Sequence, residues 1–539
     1  DPRDLHSFPT RRSSDLNDRD LQAVAEHLTA LLRTTRTYLP WPVIAAPQPT
    51  GVPLGKMERG LFVFGDVSGF TPLSERLKRL GKVGAERIAE IINSMFNELV
   101  QALYLHGGTL LKFGGDALLG LFPAQTDAEM RQAALRAVQA AMAMQARMVK
   151  FAAVDAGGET HTLRIKCGVS AGEYFGAHIG VPPDPERGSL GMMSYITTGH
   201  TVNRAEQAQN QAEPGQVIVG QDVRAWLDER VVLEEHGEGF AHVCDLPAVE
   251  GDAALQLPED TPTGGVELQI VTWTERMERL APYLPGELLA RIVSNPGQPQ
   301  ILPDYRQVTV MFANYLGVSD LIEAVGNTMP ELITEHLNRY FNHMARIVER
   351  YEGTLARMDQ YAVGDRLVIF FGAPRVHEDD PLRAVYAALE MQRAVKEAFA
   401  ALQTPEGIYR FQQRIGINTG VLFAGNVGAA SLRQEYTLMG DDINMAARLM
   451  SKAGWQEVFI SKRTQERVER FVELKDRGEL KVKGKETLVR TDEVRGRLDE
   501  AGKTQMLSST PFVGRGEVLE AAQTCGRGLL RRRGPILGV

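Results

Sequence analysis

The stretch LFVFGDVSGFTPLSER at residues 61–76 joins an apolar strand to an aspartate, a glycine and the start of a helix. Residues 308–323, VTVMFANYLGVSDLIE, repeat this order and carry Asn314 where the first stretch has Asp66. A long-range internal repeat indicates that a chain is built from similar structural units. The two stretches therefore predict two copies of one domain.

Three further pairs of segments recur in the same order along the chain. The pairs are HGGTLLKFGGDALLGLFPA (106–124) with YEGTLARMDQYAVGDRLVIFFGAP (351–374), KCGVSAGEYFGAHIG (166–180) with RIGINTGVLFAGNVG (414–428), and YITTGHTVNRAEQ (195–207) with YTLMGDDINMAAR (436–448). The first pair predicts a strand, a tight turn containing Gly-Asp, and a second strand in each copy.

Helices are predicted between these landmarks. In Glu86–Leu105 and Pro381–Ala401 the apolar residues recur every three or four positions, which is typical of a helix with one buried face. Strands separated by long helices and joined by glycine-rich hairpins predict an α+β fold, an α/β sandwich, in each copy.

The predicted domain organisation has five parts. They are an N-terminal extension at 1–57, a first domain at 58–250, a structured linker at 251–303, a second domain at 304–492, and a C-terminal segment at 493–539. Within the extension, residues 1–16 have no periodicity and are interpreted as non-native, and a helix is predicted to begin near Asp18.

Composition narrows the class of protein. The chain has 539 residues, of which 43% are hydrophobic and 24% charged, as expected of a globular protein. A net charge of −8 without a long basic cluster before Arg531 argues against nucleic-acid binding. The three cysteines are too widely separated to suggest a disulfide scaffold or a zinc site. No apolar run suggests a membrane span or a signal peptide, so a cytoplasmic location is predicted.

At these four landmarks the sequence resembles the class III nucleotidyl cyclases, in particular the bicarbonate-responsive soluble adenylyl cyclases that carry two cyclase domains in one chain. The resemblance covers roughly 58–492, and its most specific stretch is RQEYTLMGDDINMAARLM at 433–450. It implies an intramolecular pseudo-twofold domain pair, active as a monomer, that converts ATP to cyclic AMP and pyrophosphate. It also makes PFVGRGEVLEAA (511–522) resemble the truncated start of a signal-transduction NTPase module.

Two aspartates of the first repeat are candidate metal ligands. Asp66 ends an apolar strand and Asp116 lies in a hairpin, so neighbouring strands can bring both carboxylates to one edge of a sheet. Carboxylates suit two Mg²⁺ (or Mn²⁺) ions, with the carbonyl of Val67 as a further ligand. The backbone amides of Ser68, Gly69 and Phe70, where the chain enters a helix, are suited to bind the triphosphate. The alternative is that Asp66 caps the helix and Asp116 makes the turn.

The second repeat lacks the first aspartate but carries complementary residues. By resemblance, Asn444 orients the ribose and Arg448 stabilises charge on the transferring phosphate, whereas the first repeat has Gln207 at the arginine position. Lys483 matches the triphosphate-binding lysine of the family and Thr437 its adenine-side threonine. One composite site, with metals from the first repeat and cations from the second, therefore faces a degenerate mirror-image site.

The resemblance also implies an anion site in the degenerate pocket. Lys112, four residues before Asp116, and Arg204, next to Asn203, are the candidate bicarbonate ligands. A structural salt bridge is the alternative role for Lys112.

Base specificity and turnover are the open points of this interpretation. The hairpin lysine that contacts adenine in the family has no clear match, although Asp359 or Gln360 is a candidate substitute, so a guanylyl cyclase is an alternative. Gly114-Gly115-Asp116 also suggests a diguanylate cyclase turn, but Ala117 and Leu118 do not continue that motif. A pseudocyclase, a nucleotide sensor that regulates a C-terminal NTPase without turnover, is the alternative from another class.

Overall fold

The computed structural model describes most of the chain. The described residues are 17–45, 53–183, 191–247, 264–296, 303–360, 363–373, 375–480 and 488–498. Three predicted features lie outside them: the non-native segment 1–16, the lysine Lys483, and the NTPase-like stretch 511–522.

The first half is built on a mixed sheet. Its strands in chain order are β1 (Leu54–Ser68), β2 (Thr109–Gly114), β3 (Ala117–Pro123), β6 (Arg164–Val181), β7 (Met192–Thr198), β8 (Val217–Gly220), β9 (Val232–Glu235) and β10 (Phe240–Asp245). Across the sheet the order is β2-β3-β1-β6-β8-β10-β9, and β7 pairs with the far end of β6. A small separate ladder joins β4 (Val154–Asp155) to β5 (Thr160–His161).

The second half repeats this topology strand for strand. Its strands are β11 (Asp304–Leu316), β12 (Thr354–Gln360), β13 (Asp365–Phe371), β14 (Ala401–Thr404), β15 (Gly407–Arg410), β16 (Gln412–Ala429), β17 (Arg433–Met439), β18 (Val458–Ser461), β19 (Val472–Leu480) and β20 (Val489–Arg497). The sheet order is β12-β13-β11-β16-β18-β20-β19, with β17 on β16 and a separate β14–β15 ladder. Two α+β halves are therefore present, which confirms the predicted fold class.

The helices also correspond between the halves. The first half has α3 (Phe70–Lys78), α4 (Gly81–Leu105), α5 (Asp127–Arg147), α6 (His200–Gln211) and α7 (Gln221–Arg224), and the second has α10 (Val318–Val325), α11 (Pro330–Arg350), α12 (Asp380–Ala398), α13 (Asp441–Lys452) and α14 (Lys462–Val468). The predicted helix ending at Ala401 is three residues too long, because Phe399 closes α12 and Ala401 already pairs in β14.

Each half extends an arm into the other. The far end of β6 contributes Phe175 and Ile179 to the core of the second half, and the far end of β16 contributes Phe423 and Val427 to the core of the first. Two equivalent hydrogen bonds lock the arms: the amide of Gly428 donates to Asn93 Oδ1 at 3.0 Å, and that of Gly180 donates to Asn338 Oδ1 at 2.8 Å. The halves thus form an intramolecular pseudo-twofold pair.

A third apolar cluster joins the chain ahead of the first half to the segment between the halves. Its helices are α1 (Asp18–Thr37), α2 (Trp41–Ala45), α8 (Val266–Leu280) and α9 (Gly286–Ser294). They lie against the exchanged arms, because the hydroxyl of Tyr38 accepts from Asn426 Nδ2 at 2.8 Å and that of Tyr283 lies 2.7 Å from His178 Nδ1. The described part of the segment between the halves, residues 264–296, holds two α-helices, where the turn residues indicated one.

Candidate active site

The two candidate metal aspartates lie side by side. Asp66 is the third residue from the end of β1 and pairs with Ala117 of β3, the residue that follows Asp116. The amide of Val67 donates to the backbone oxygen of Asp116 at 3.1 Å, which ties the strand end to the hairpin turn. Burial, and then the neighbouring charge of Asp66, raise the pKa of Asp116 to about 7. The arrangement places two carboxylates against one another at a sheet edge.

Two residues that the sequence analysis did not single out contact Asp66. Lys166 Nζ lies 3.3 Å from Asp66 Oδ2, and Gln209 Nε2 of α6 donates to the same oxygen at 3.3 Å. Lys166 is directly opposite Asp66 in the β1–β6 register, and Arg414 is opposite Asn314 in the second half. A cation at both aligned repeat positions was the available signal for this partner.

The start of α3 follows the aspartate directly. Ser68 ends β1, Gly69 is the N-cap residue with φ 91°, and Phe70 begins the helix. A Cβ atom on Gly69 would lie 2.2 Å from the carbonyl oxygen of Thr162, so only glycine fits this turn. Because Gly69 has no side chain to cap the helix, the first amides of α3 are left suited to an anion.

Arg448 of the second half lies near enough to Asp116 of the first half for its charge to affect that carboxyl. Its helix, α13, contacts α3, and Lys78 Nζ lies 3.4 Å from Asp442 Oδ2 across this contact. The Arg448 charge is close enough to Asp116 to oppose the rise in the pKa of that carboxyl. Its side chain is 21% exposed and its Nη1 lies 3.4 Å from Asp441 Oδ1, while Asn444 is half-buried one turn earlier. The structure therefore brings Asp66, Asp116 and Arg448 to one place.

The mirror-image position is closed by the protein itself. Asn314 is fully buried, and its Nδ2 donates to the carbonyl oxygens of Val363 at 2.7 Å and Asp365 at 2.9 Å. Its Oδ1 accepts from Arg414 Nε at 2.9 Å. The carboxylate of Asp365 accepts from Thr198 Oγ1 of the first half at 3.1 Å. The amide thus joins strand and turn where the first half has two carboxylates.

Lys112 and Arg204, the two candidate bicarbonate ligands, have different charged neighbours in the structure. Arg204 Nε lies 3.1 Å from Asp222 Oδ2, and its Nη2 donates to the carbonyl oxygen of Ala171 at 3.2 Å. Lys112 instead is surrounded by charged groups of the second half; burial lowers its pKa to about 8, and Asp359 opposes that effect. The α6 residue whose charge interacts with Lys112 is Glu206, two positions after Arg204, and burial raises its pKa.

Arg357 is the strand equivalent of Lys112. Phe113, which follows Lys112, pairs with Leu118, and Met358, which follows Arg357, pairs with Leu367. In both β2 and β12 a register shift lies directly before the lysine or the arginine. The insertion in the second hairpin hid this equivalence in the sequence. Asp359, a candidate base-contacting residue, is instead held by Arg357 Nε and Arg366 Nε, each at 2.8 Å. The side chain of Gln360 lies outside the described residues.

The region near Arg357 also contains Thr437. This threonine is 5% exposed on β17, and its neighbour on the same face of the strand, Glu435, lies 3.9 Å from Arg357 Nη1. Both Arg357 and Thr437 line a cavity of about 1130 Å³, together with Lys112. The three residues thus border one space between the halves.

A family model described as the adenylate and guanylate cyclase catalytic domain matches residues 55–243 and 302–492. The chain belongs to this family. Its two halves are the two class III cyclase domains that the sequence predicts, and the recognition of the family is confirmed.

Relatives and a solved structure place these cyclase halves in context. Adenylate cyclase type 10 of Mus musculus is 23% identical over 457 residues, which cover 81% of this chain but only 26% of that protein. Adenylate cyclase 1 of Rhizobium meliloti is 29% identical over 216 residues, covering 40% of this chain and 31% of that protein. A class III adenylyl cyclase-like ATP-binding protein from Pseudomonas aeruginosa shares the fold with a TM-score of 0.53 at 12% identity, covering 90% of this chain and 98% of that chain. Across the described residues, no helix has the length and apolarity needed to cross a membrane.

Proposed function

We propose that the chain is an adenylyl cyclase that converts ATP to 3′,5′-cyclic AMP and pyrophosphate at one composite site. The observation that carries this proposal is that Asp66 and Asp116 of the first half lie together at one strand end, where the charge of Arg448 from the second half acts on Asp116. Catalysis of this kind needs carboxylates for metal ions and a permanent cation for the charge that develops on the phosphate. The halves supply these groups separately.

The donor set fits hard divalent cations. Two aspartate carboxylates and the backbone carbonyl of Val67 offer oxygen ligands of the type that Mg²⁺ and Mn²⁺ prefer. When bound, two such ions lower the barrier to deprotonating the ribose 3′-hydroxyl and neutralise the phosphates. The salt bridge between Lys166 and Asp66 limits repulsion between the aspartates when metal is absent.

The remaining residues bind and orient the substrate. The amides of Ser68, Gly69 and Phe70 at the start of α3 donate hydrogen bonds to the triphosphate, and the ammonium group of Lys483 pairs with its negative charge. Asn444 orients the ribose, one helical turn from Arg448. Arg448 stabilises the charge that forms on the α-phosphate as the 3′-oxygen attacks.

We assign ATP as substrate because the curated relatives described above are adenylate cyclases. In this proposal Thr437 and Arg357 border the purine, and guanylyl cyclase activity is the alternative. We also place the enzyme in the cytoplasm, because the described cysteines, Cys167 and Cys244, are free thiols. We propose that it acts as a monomer, because each half completes the core of the other within one chain.

A nucleotide sensor without turnover is the second candidate function. The salt bridge between Lys166 and Asp66 favours it, because this bridge occupies a metal ligand. The Pseudomonas aeruginosa protein that shares the fold is described as cyclase-like and ATP-binding, which is consistent with this alternative.

The test is cyclic nucleotide formation by the purified full chain with ATP or GTP and Mg²⁺ or Mn²⁺. We expect cyclic AMP from ATP, loss of turnover in Asp66→Asn and Asp116→Asn, and retention of most turnover in the matched mirror variant Asp365→Asn. Nucleotide binding without product would support the sensor. Preferred formation of cyclic GMP would replace the substrate assignment.

A further inference from the structure

Three side chains of different chemistry converge on the β9–β10 hairpin of the first half. His242 and Cys244 are two residues apart on β10, Cys244 lies at a register shift between Val243 and Asp245, and Glu234 of β9 is the direct cross-strand partner of His242. His242 Nδ1 lies 3.6 Å from Cys244 Sγ and 3.9 Å from Glu234 Oε2, and the remaining distance, from Cys244 Sγ to Glu234 Oε2, is 3.9 Å.

These distances are close to those around a tetrahedral metal ion. With zinc bond lengths of about 2.0–2.3 Å, tetrahedral ligand atoms lie about 3.5 Å apart. The three donor atoms need to move by only a few tenths of an ångström to share one ion. A thiolate, an imidazole and a carboxylate together select a borderline-soft cation such as Zn²⁺ over Mg²⁺ or Mn²⁺.

In the second half, ion pairs join the equivalent edge strands, β19 and β20. By strand register, Glu493 and Arg495 of β20 and Lys475 of β19 stand where His242, Cys244 and Glu234 stand in the first half. Glu493 is held by Arg477 Nε at 2.7 Å and by Arg495 Nε at 3.0 Å. Salt bridges therefore join the edge strands of the second half, and Glu234, His242 and Cys244 occupy the equivalent positions in the first half.

We propose that Glu234, His242 and Cys244 bind one Zn²⁺ ion that joins the edge strands β9 and β10. Glu234 and Cys244 are exposed, so a solvent molecule completes the coordination. The site is separate from the candidate active site, because β9 and the β2–β3 hairpin are at opposite edges of the sheet. It is independent of the proposed cyclase activity.

The test uses the reduced 539-residue protein, freed of transition metals and kept in excess Mg²⁺. This sample is titrated with Co²⁺ and then with Zn²⁺. We expect one equivalent of Co²⁺ to give a thiolate-to-cobalt charge-transfer band, and one equivalent of Zn²⁺ to abolish it and raise the melting temperature. The band should be absent in Cys244→Ser, and Co²⁺ affinity should fall at least tenfold in His242→Ala and Glu234→Ala.

Two control variants separate this site from other metal ligands. Cys525→Ser removes the thiol that lies outside the described residues, and Asp66→Asn removes the candidate Mg²⁺ ligand; both should keep the band and the Zn²⁺-dependent rise in melting temperature. A band that persists in Cys244→Ser, a parent spectrum without a thiolate band, or equal affinity in His242→Ala would overturn the proposal.

Discussion

Asp66 and Asn314 hold the same position on β1 and β11, and the difference between a carboxylate and an amide separates the two sites. A carboxylate only accepts hydrogen bonds, so Asp66 takes its partners from Lys166 and Gln209 and remains suited to a cation. An amide also donates hydrogen bonds, and Asn314 donates to two backbone carbonyl oxygens at the β12–β13 turn. Asn314, which stands where the first half has the candidate metal ligand Asp66, therefore stabilises the second half.

Arg448 gives the sharpest residue-scale prediction for the proposed reaction. Its charge is needed mainly as the phosphorus is attacked, so Arg448→Ala should lower kcat by about 10²–10³ with little change in KM. Steady-state kinetics on purified protein measure both constants. Arg448→Lys keeps the charge but not the geometry and should recover only part of the rate. An increase in KM at unchanged kcat would assign Arg448 to binding alone.

The charges around Lys112 predict the response to bicarbonate. Asp359 and Glu206 already supply carboxyl groups near this lysine, and Arg204 is held by Asp222. We therefore expect millimolar bicarbonate, compared with chloride at fixed pH and ionic strength, to leave cyclase activity unchanged. Activation in the parent that disappears in Lys112→Ala would show that the anion site implied by the family resemblance operates here despite these carboxyl groups.

At the scale of elements, the exchanged arms β6 and β16 are the main contact between the halves. The bonds from Gly428 to Asn93 and from Gly180 to Asn338 are related by the pseudo-twofold axis, and each satisfies a backbone amide of an arm. Asn93→Ala and Asn338→Ala should each lower the free energy of unfolding by about 1–3 kcal/mol. Chemical denaturation measures this, and the exposed helix residue Glu86, changed to Ala, is the control. A loss confined to one of the two variants would contradict equivalent roles.

His178 on the β6 arm makes stability depend on pH. Burial lowers its pKa to about 4 in the folded chain, whereas the unfolded value is near 6.5. Between these values the unfolded state binds more protons, so the free energy of unfolding should fall as the pH drops from 6.5 to 4, by at most about 3 kcal/mol for this residue.

The measurement is denaturation at several pH values. His178→Gln should give a flatter profile than the parent across this interval, although it also loses the contact with Tyr283. His27→Gln, at an exposed position of α1, should leave the slope unchanged. A parent profile that is level between pH 6.5 and 4 would contradict the assignment.

The sequence predicted the order of elements and the α+β class, because strand, hairpin and helix patterns are local and occur twice. It did not predict which side of α6 faces Lys112: Arg204 and Glu206 are only two residues apart, and the distinction depends on packing against the second half. The cluster of α1, α8 and α9 was missed for a similar reason, since its contacts join residues far apart in the chain.

At the scale of the whole molecule, reciprocal arms make the two halves one folding unit. Phe423 and Val427 complete the first core, and Phe175 and Ile179 complete the second, so separating the halves would expose apolar surface on both. The helices α1, α8 and α9 lie across the same arms and oppose separation further. This architecture favours a site formed within one chain over exchange of halves between chains.

Complementation between inactive variants tests that conclusion. Asp66→Asn lacks a metal ligand of the first half and Arg448→Ala lacks the cation of the second, so a chain carrying either change has no complete site. If halves were exchanged between chains, mixing the two variants would rebuild one intact site. The Asp66→Asn chain would supply its unchanged second half, and the Arg448→Ala chain would supply its unchanged first half. Because both cores are completed within the chain, we expect the mixture to be no more active than the sum of its parts, and parent specific activity to stay constant from micromolar to nanomolar protein. Restored cyclase activity on mixing, or activity that falls on dilution, would instead place the working site between two chains.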